Sequence, residues 1–217
     1  MLRFLVVVLL FGAAVTSRAE TTAPTTRPET AAPTMMVLGD SLSAAFGIPA
    51  SEGWVTLLQQ RLQARGYPQR VVNASISGET TAGGLSRLPK LLDRHRPQMV
   101  LIELGANDGL RGLPVSRMEE NLRRMAELSR AAGAIPVLFE MRIPSNYGPA
   151  YSEDFRAASA RAAAATGSPR VPFFLAAFAL DPAAFQDDGI HPTAAAQPQM
   201  LEAVWPTVEA ALKKLTK

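Results

Sequence analysis

Ser41 is the residue of this sequence best placed to act as a nucleophile. It lies in the run GDSLS, directly after the short apolar stretch at residues 35 to 38. A strand that ends at a glycine and delivers a serine into a turn exposes a hydroxyl at the carboxyl edge of an α/β sheet. Gly, Asp and Ser together are also typical of an ordinary turn with a helix cap, so the rest of the chain must supply the partners that a nucleophile needs.

The chain has two histidines that could serve as the general base. His191 lies in the run DGIHP, where the carboxylate of Asp188, three residues earlier, can fold back in a tight turn and accept the Nδ1 proton. That tautomer leaves Nε2 free to accept the proton of Ser41. We favour Asp188 as the orienting acid, and Asp187 remains the alternative. His95 stands between two arginines in a charged segment and is predicted to lie on the solvated surface.

Two further polar positions could stabilise the negative charge that develops on a carbonyl oxygen during acyl transfer. Gly78 ends the run SISG, and its lack of a side chain lets a ligand approach the backbone closely. The side-chain amide of Asn107 donates hydrogen bonds without carrying charge. We predict an oxyanion hole made by the backbone N–H groups of Ser41 and Gly78 and by the Asn107 amide.

Alternating strands and helices must position these residues. Ser51 is available as the N-cap of the first helix, and Ser116 with Glu119 would form a capping box at the start of a later one. Pro89 should bend or interrupt the helix that contains it. Residues 171 to 180 are apolar but resist assignment. The apolar patterns predict strands at residues 35 to 38, 70 to 73, 99 to 102 and 135 to 139, and helices at 52 to 65, around 85 to 92, at 118 to 128, 151 to 165 and 201 to 215.

Strands and helices that alternate in this way form a parallel sheet with helices packed against it, so the predicted fold class is α/β. The carboxyl ends of parallel strands all lie at one edge of the sheet. The loops that carry Ser41, Gly78 and Asn107 should therefore meet, although they are far apart in the sequence. Such a meeting of polar loops is what a catalytic site requires.

Composition limits the classes of function that are open to the chain. Its 217 residues are 47% hydrophobic, enough for one core, and its formal net charge of +3 gives no basis for a nucleic-acid partner. The chain has no cysteine, so disulfides, thiolate metal sites and cysteine nucleophiles are excluded. We expect a single globular domain from residue 35 to residue 217.

The first 34 residues differ in composition from the rest. A short basic start, an apolar run too short to span a bilayer and small residues near position 19 predict a signal peptide at residues 1 to 19. An uncleaved N-terminal anchor is the alternative. Residues 20 to 34 are rich in Thr, Pro and Ala and are predicted to form a flexible linker. We therefore expect an exported protein, periplasmic or secreted, with no stable membrane span after removal of the leader.

Four blocks of the sequence resemble those of the SGNH (GDSL) hydrolase family. They are GDSLS, the loop that ends at Gly78, the run GAND at residues 105 to 108, and DGIHP. The resemblance covers roughly residue 35 to the C-terminus and is closest to the bacterial periplasmic thioesterase and lysophospholipase subgroup. It implies a flavodoxin-like three-layer α/β/α sandwich with a central parallel sheet. It also implies hydrolysis of acyl esters and thioesters without a metal or cofactor, by the nucleophile, base, acid and oxyanion donors assigned above.

The expected substrate is a small-molecule or lipid acyl ester or thioester, and the expected oligomeric state is a monomer. Gly78 and Glu79 open the loop that lines the acyl site in this subgroup, and Glu79 stands where the subgroup usually has Asp. The apolar side chains of Leu110, Ile143 and Pro144 also suit an acyl chain. Two alternatives stay open: a carbohydrate O-acetyl esterase, and an acyl-binding protein without catalytic activity on the same fold.

Overall fold

The computed structural model describes residues 32 to 215, without the side chain of residue 145, and strands alternate with helices throughout this part of the chain. The strands are β1 (Thr34–Gly39), β2 (Arg70–Asn73), β3 (Met99–Glu103), β4 (Ile135–Phe139) and β5 (Arg170–Val171). The α-helices are α1 (Trp54–Ala64), α2 (Thr81–His95), α3 (Ala106–Leu110), α4 (Val115–Ala131), α5 (Pro149–Thr166) and α6 (Gln197–Leu215).

β1 and β3 lie side by side in a parallel sheet with the strand order β2-β1-β3-β4-β5. The chain runs from β1 outward to β2, then crosses back to the other side of β1 and continues outward through β3, β4 and β5. The crevice between β1 and β3 is therefore the topological switch point, where ligands bind in open sheets of this kind. The register pairs Gly39 with Glu103, so the segments that follow β1 and β3 emerge next to each other.

Helices cover both faces of the sheet. α1 packs against α6, and α4 packs against α2 and α5. Successive side chains of a strand point to opposite faces, so a strand that is covered on both faces reads as a continuous apolar run. Residues 35 to 38 of β1 and 99 to 102 of β3 are such runs, and their side chains have no exposed surface. The predicted α/β/α sandwich with a parallel sheet is confirmed.

The start of α1 differs from the prediction. The helix begins at Trp54, with Gly53 in the cap position. The backbone N–H of Trp54 donates to Oε1 of Gln197, 3.0 Å away at the beginning of α6. The cap therefore comes from a distant helix and not from Ser51, which local sequence alone could not indicate.

The capping box predicted at the start of α4 is wrong. The helix begins at Val115, and Pro114 occupies the cap position with an extended backbone (φ −58°, ψ 122°) and no side-chain cap. Ser116 and Glu119 consequently lie inside the helix. Pro89 does not interrupt its helix, because α2 continues through it from Thr81 to His95. A proline removes one N–H from a helix, and the remaining turns are held here by packing against the sheet and α4.

Residues 171 to 180, which resisted assignment, begin with the second residue of a strand that is only two residues long. β5 pairs Arg170 with Leu138 and Val171 with Phe139, and turns follow it. A strand this short is too brief for periodicity to reveal. Its presence depends on the neighbouring edge of β4, which is a property of the folded sheet.

The predicted signal peptide at residues 1 to 19 and most of the predicted linker lie outside the described residues. β1 begins at Thr34, the position at which the predicted linker ends. Between residues 32 and 215, no helix combines the length and the apolar character needed to cross a lipid bilayer.

Candidate active site

Ser41 lies half-buried in the turn that follows β1, at the carboxyl edge of the sheet. Asp40 supports this turn, because its Oδ1 accepts a hydrogen bond from the Leu42 N–H at 3.0 Å. Gly39 must be a glycine, since a Cβ at this position would lie 2.6 Å from Oε2 of Glu103. The run GDS therefore lets the backbone approach a buried acid while it turns the serine toward the neighbouring loops.

Ser41, His191 and Asp188 form one chain of hydrogen bonds. His191 Nε2 lies 2.9 Å from Ser41 Oγ, and His191 Nδ1 lies 2.7 Å from Asp188 Oδ2. The second carboxylate oxygen, Oδ1, accepts the backbone N–H groups of His191 and Ile190, each at 2.9 Å. These bonds, with the backbone N–H of His191 first among them, lower the pKa of Asp188 to about 2. The structure thus brings together the serine, the histidine and the favoured one of the two candidate acids.

The loop that carries His191 is braced against the segment after β1. An antiparallel bridge joins Phe185 to Pro192, and the Gln186 N–H donates to the carbonyl of His191 at 2.8 Å. The Gln186 side chain donates to the carbonyl of Phe46 at 2.8 Å, and the Phe46 ring lies 4.4 Å from the imidazole ring. Gln186 and Phe46 were not identified from the sequence, because their contacts join segments about 140 residues apart.

The three predicted oxyanion donors lie on the segments that follow β1, β2 and β3. Asn107, which was expected in a loop, is the second residue of the short helix α3. Gly78 adopts a φ of +78°, a conformation that side chains disfavour. Asn107 Nδ2 donates to Asp40 Oδ2 and to the carbonyl of Glu79, both at 3.0 Å. Among the described residues, no acceptor is bonded to the backbone N–H of Ser41 or of Gly78. Two free backbone donors and an amide held beside them can serve a developing oxyanion.

The loop of Gly78 is fixed by two arginines that the sequence did not single out. Arg111 Nη2 donates to the Gly78 carbonyl at 2.8 Å. Arg87 pairs with the Glu79 carboxylate at 2.7 Å and also donates to the carbonyl of Ala74 at 3.0 Å. The Glu79 side chain is therefore directed at α2, while its backbone carbonyl contacts the Asn107 amide. Arg111 lies 33 residues from Gly78, and Arg87 lies 8 residues from Glu79 on the next helix. No local sequence pattern predicts either contact.

The predicted acyl-binding side chains lie next to one another after β3 and β4. Leu110 and Ile143 are half-buried, and Pro144 is exposed. The carbonyl of Leu110 accepts a hydrogen bond from the Tyr147 hydroxyl at 2.8 Å, and a Cβ on Gly109 would lie 2.5 Å from the Ile143 side chain. These contacts join α3 to the segment after β4, and together they form a partly apolar wall. Leu110 lies three residues after Asn107 in the sequence.

Two buried acids, Asp40 and Glu103, lie under the nucleophile turn. Glu103 is fully buried, and its Oε2 accepts the Ser43 hydroxyl at 2.6 Å and the Asp40 N–H at 3.3 Å. Its Oε1 has no hydrogen-bond partner among residues 32 to 215. Burial, and then the neighbouring Asp40, raise the pKa of Glu103 well above its usual range. Burial also raises the pKa of Asp40 to about 6, against the opposing effects of the Leu42 N–H and His191. Above that pH, Asp40 carries the charge of the pair.

Ionisation of Asp40 lowers the stability of the folded protein but strengthens the hydrogen bond from Asn107. Because the pKa of Asp40 is higher in the folded protein than its ordinary 3.8, the folded protein holds this proton more tightly than the unfolded chain. The stability that the proton contributes is complete below pH 3.8 and is lost as the pH rises through about 6. The carboxylate that then forms is the stronger acceptor for the Asn107 amide.

Substitutions of Glu103 test whether the neutral acid is the form that stabilises the fold as a hydrogen-bond acceptor. Glu103→Ala is expected to lower the free energy of unfolding by about 3 kcal/mol, because the Ser43 hydroxyl and the Asp40 N–H lose their acceptor. Glu103→Gln keeps a neutral acceptor oxygen and is expected to cost about 1 kcal/mol. Urea unfolding at neutral pH measures both. Equal destabilisation by Gln and Ala would mean that the ionised carboxylate is the form the fold needs.

Removing the Asn107 amide tests its role at the oxyanion. Asn107→Ala is expected to lower kcat by about 10²–10³ on a soluble aryl ester, with little change in KM. Asn121→Ala is the matched control, because Asn121 Nδ2 donates to the Thr81 hydroxyl at 3.0 Å and away from Ser41. We expect the control to keep kcat within about twofold. If kcat of Asn107→Ala falls by less than about fivefold, the amide is not part of the oxyanion hole.

The second histidine lies away from this site. His95 ends α2, and the carboxyl ends of helices that follow parallel strands lie at the opposite edge of the sheet. Its burial, followed by the charges of Arg94 and Arg70, lowers its pKa. Within residues 32 to 215, no three His, Asp or Glu side chains come together as a metal site would require.

The fold is a three-layer α/β sandwich, and the serine, histidine and aspartate at its carboxyl edge are hydrogen-bonded in the order that serine hydrolases use. Residues 37–197 match the GDSL-like Lipase/Acylhydrolase family. The chain belongs to this family, and it is an ester-hydrolysing enzyme. The resemblance seen in the four sequence blocks is thereby confirmed.

Two curated relatives, both from bacteria, match most of the chain. Esterase TesA of Pseudomonas aeruginosa is 52% identical over 176 residues, which are 81% of this chain and 88% of the relative. Thioesterase 1/protease 1/lysophospholipase L1 of Escherichia coli K12 is 47% identical over 165 residues, 76% of this chain and 78% of the relative. Both relatives are thus similar to this chain across its folded part.

Solved structures agree with this fold. The psychrotrophic esterase EstA from Pseudoalteromonas, solved in a form inhibited by monoethylphosphonate, is 43% identical and superposes with a TM-score of 0.80. The match covers 83% of this chain and 98% of the esterase.

Proposed function

We propose that the protein is a serine hydrolase that cleaves carboxylic esters and thioesters through an acyl-enzyme on Ser41. The observation that carries this proposal is the unbroken chain of hydrogen bonds from Ser41 Oγ through His191 to Asp188, at 2.9 and 2.7 Å. These are distances at which protons transfer between a nucleophile and its base. The proposal makes Ser41 the nucleophile, His191 the base and Asp188 the orienting acid.

The first half of the reaction forms the acyl-enzyme. Ser41 Oγ attacks the carbonyl carbon while its proton passes to His191 Nε2. Asp188 stabilises the imidazolium that results, because its carboxylate stays ionised and bonded to Nδ1. When the tetrahedral intermediate collapses, the C–O or C–S bond breaks and Nε2 returns the proton to the leaving alcohol or thiol. Water then repeats the sequence, releases the carboxylic acid and restores the serine.

The oxyanion is the charge that the site must stabilise in both halves. The backbone N–H groups of Ser41 and Gly78 and the Asn107 amide are proposed to donate to it. The Asn107 amide already bonds to the carbonyl of Glu79, so the oxyanion would compete for that hydrogen. The bond to the Asp40 carboxylate would meanwhile keep the amide oriented. Orientation in advance is what makes such donors effective.

The substrate class follows from the relatives and the lining of the site. The names of the two curated relatives include esterase, thioesterase and lysophospholipase. Leu110, Ile143 and Pro144 are proposed to contact the acyl chain, together with the loop at Gly78 and Glu79. Catalysis needs no metal or cofactor in this scheme, since the protein supplies nucleophile, base and oxyanion donors itself.

We also propose that the enzyme is exported to the periplasm or beyond and acts there as a monomer. The support is the composition of residues 1 to 19, which is that of a signal peptide, and of residues 20 to 34, which is that of a flexible linker. Export is tested by fractionation of cells that express the full chain. Protein found in the cytoplasm with its first 19 residues intact would contradict it.

The profile of kcat/KM over p-nitrophenyl esters from acetate to palmitate tests the function. We expect an optimum at medium to long chains, parallel activity on a long-chain acyl-CoA and a lysophospholipid, and a loss of about 10⁶ in the Ser41→Ala blank. Activity confined to acetate, and highest on acetylated xylan, would assign the enzyme to carbohydrate deacetylation. If a serine-directed phosphonate fails to label the purified protein, the result would support the alternative of an acyl-binding protein without catalytic activity.

A further inference from the structure

The large apolar side chains exposed in the described part of the chain all belong to loops at one edge of the sheet. Single exposed apolar residues are normal on any protein surface, but their confinement to one edge indicates a contact surface. They are Phe46, Ile76, Leu113, Leu180 and Ile190, with exposed fractions of 48%, 49%, 38%, 98% and 50%. We refer to these five residues as the apolar rim.

The rim is built from loops that follow different strands. Phe46 follows β1, Ile76 follows β2, Leu113 follows β3 and α3, and Leu180 and Ile190 follow β5. Since parallel strands direct their carboxyl ends to one edge, these positions share that edge with Ser41 although up to about 140 residues separate them. The helices on the two faces of the sheet expose no comparable side chain between residues 32 and 215.

Direct contacts connect the rim to the reacting groups. The Phe46 ring lies 4.4 Å from the imidazole ring of His191, and Ile190 is the residue before it. The backbone N–H of Ile76 donates to the Gly39 carbonyl at 3.0 Å, at the start of the nucleophile turn. Three of the five rim residues therefore lie beside the nucleophile turn or the histidine.

We propose that the apolar rim is a lipid-binding surface, by which the enzyme adsorbs to aggregated zwitterionic lipid with Ser41 facing the lipid. The choice of lipid as partner rests on the proposed acyl-hydrolase function, because long-chain esters reside in aggregates and not free in water. An apolar surface around the nucleophile lets the acyl chain pass from lipid to site without crossing water. A rim on another face of the molecule would not offer this path.

The charges beside the rim define the kind of lipid surface. Arg111 and Arg142 are exposed in the segments after β3 and β4, and four acids are exposed in the segments after β1 and β5: Glu52, Asp181, Asp187 and Asp188. Two positive and four negative side chains give no net attraction to an anionic membrane. Binding should therefore occur on neutral, zwitterionic lipid and should change little with salt concentration.

Co-sedimentation of the Ser41→Ala protein with phosphatidylcholine vesicles tests the proposal, because this variant leaves the lipid intact. We expect measurable binding that is insensitive to salt. Adding Leu180→Ser should lower the partition coefficient about tenfold, and Leu113→Ser should lower it about threefold, in the order of their exposure. Ala131→Leu is the matched control, because it adds an exposed leucine at the end of α4, on the opposite edge, and should leave binding unchanged.

Three results would overturn the proposal. One is absence of vesicle binding, another is binding that Leu180→Ser and Leu113→Ser leave unchanged, and the third is binding only to anionic vesicles. Self-association without vesicle binding, abolished by Leu180→Ser, would assign the rim to a second copy of the chain. Leu180→Ser in the active enzyme is expected to leave the hydrolysis of soluble p-nitrophenyl butyrate unchanged. This measurement distinguishes a failure of the lipid-binding proposal from a failure of the proposed function.

Discussion

Ser41→Ala is expected to lower kcat by about 10⁶ on a soluble aryl ester, the largest effect of any single substitution in this protein. Without Oγ no acyl-enzyme can form, and His191 has no proton to accept from the nucleophile. Some acceleration over the reaction in water should remain, since the oxyanion donors can still act on a bound ester. Burst kinetics with p-nitrophenyl esters measure the loss directly, because the burst amplitude counts acyl-enzyme.

The neighbouring serine of the same turn provides the control. Ser43 Oγ donates to Glu103 at 2.6 Å, while the imidazole bonds to Ser41, so Ser43→Ala should lose stability and still be labelled by a serine-directed phosphonate. Ser41→Ala should resist labelling and keep its melting temperature. Labelling of Ser41→Ala, or a surviving burst, would mean that another hydroxyl is the nucleophile.

Asp188→Asn is expected to lower kcat by about 10⁴ at neutral pH. The backbone N–H groups of Ile190 and His191 would keep the amide oxygen in the place of Oδ1, so the amide nitrogen would face Nδ1 of the imidazole. That nitrogen donates where the carboxylate accepts, and the ring would then carry its proton on Nε2. A protonated Nε2 cannot accept the Ser41 proton, so the base is lost although the geometry survives.

Asp187→Asn makes the same chemical change one residue earlier in the chain. Asp187 is exposed, and the imidazole contact belongs to Asp188, so the control should keep kcat within about twofold. If kcat falls by a similar factor in both variants, the total negative charge of the loop, and not the contact of Asp188 with the imidazole, would explain the loss. Retained activity in Asp188→Asn would restore Asp187 as the alternative acid.

The same variant has a consequence for stability in acid. The pKa of Asp188 is lowered from 3.8 to about 2 in the folded protein, so its carboxylate stabilises the fold above pH 3.8, and this contribution is lost as the pH falls toward 2. Asp188→Asn should flatten the pH dependence of unfolding in that window. Wild-type and variant curves that stay parallel there would contradict the assigned pKa.

The strands at the centre of the sheet could be predicted because they are buried on both faces. Residues 35 to 38 and 99 to 102 are continuous apolar runs, and a strand in that environment has no polar face to interrupt the pattern. The elements that were missed depend on partners elsewhere in the fold. β5 is two residues long and exists through pairing with β4, and the cap of α1 comes from Gln197 at the start of α6.

The candidate site divides in the same way. Asp188 and His191 lie three residues apart, so their contact is a property of one tight turn that the sequence determines by itself. The contact between His191 and Ser41 spans 150 residues, yet it could be anticipated because parallel strands deliver their carboxyl ends to one edge. The catalytic residues could therefore be predicted from the sequence, because they lie in short motifs at the ends of regular parallel strands.

Only the tertiary structure decided how the motifs are supported. The pairing of Asp40 with the Asn107 amide, the burial of Glu103 beneath the nucleophile turn and the hydrogen bond of Arg111 to the Gly78 loop all join segments that no local pattern relates. Their effects depend on burial and on distances of about 3 Å, which a sequence does not contain. Residue types determined which groups could react, and packing determined which of them meet and in which protonation state.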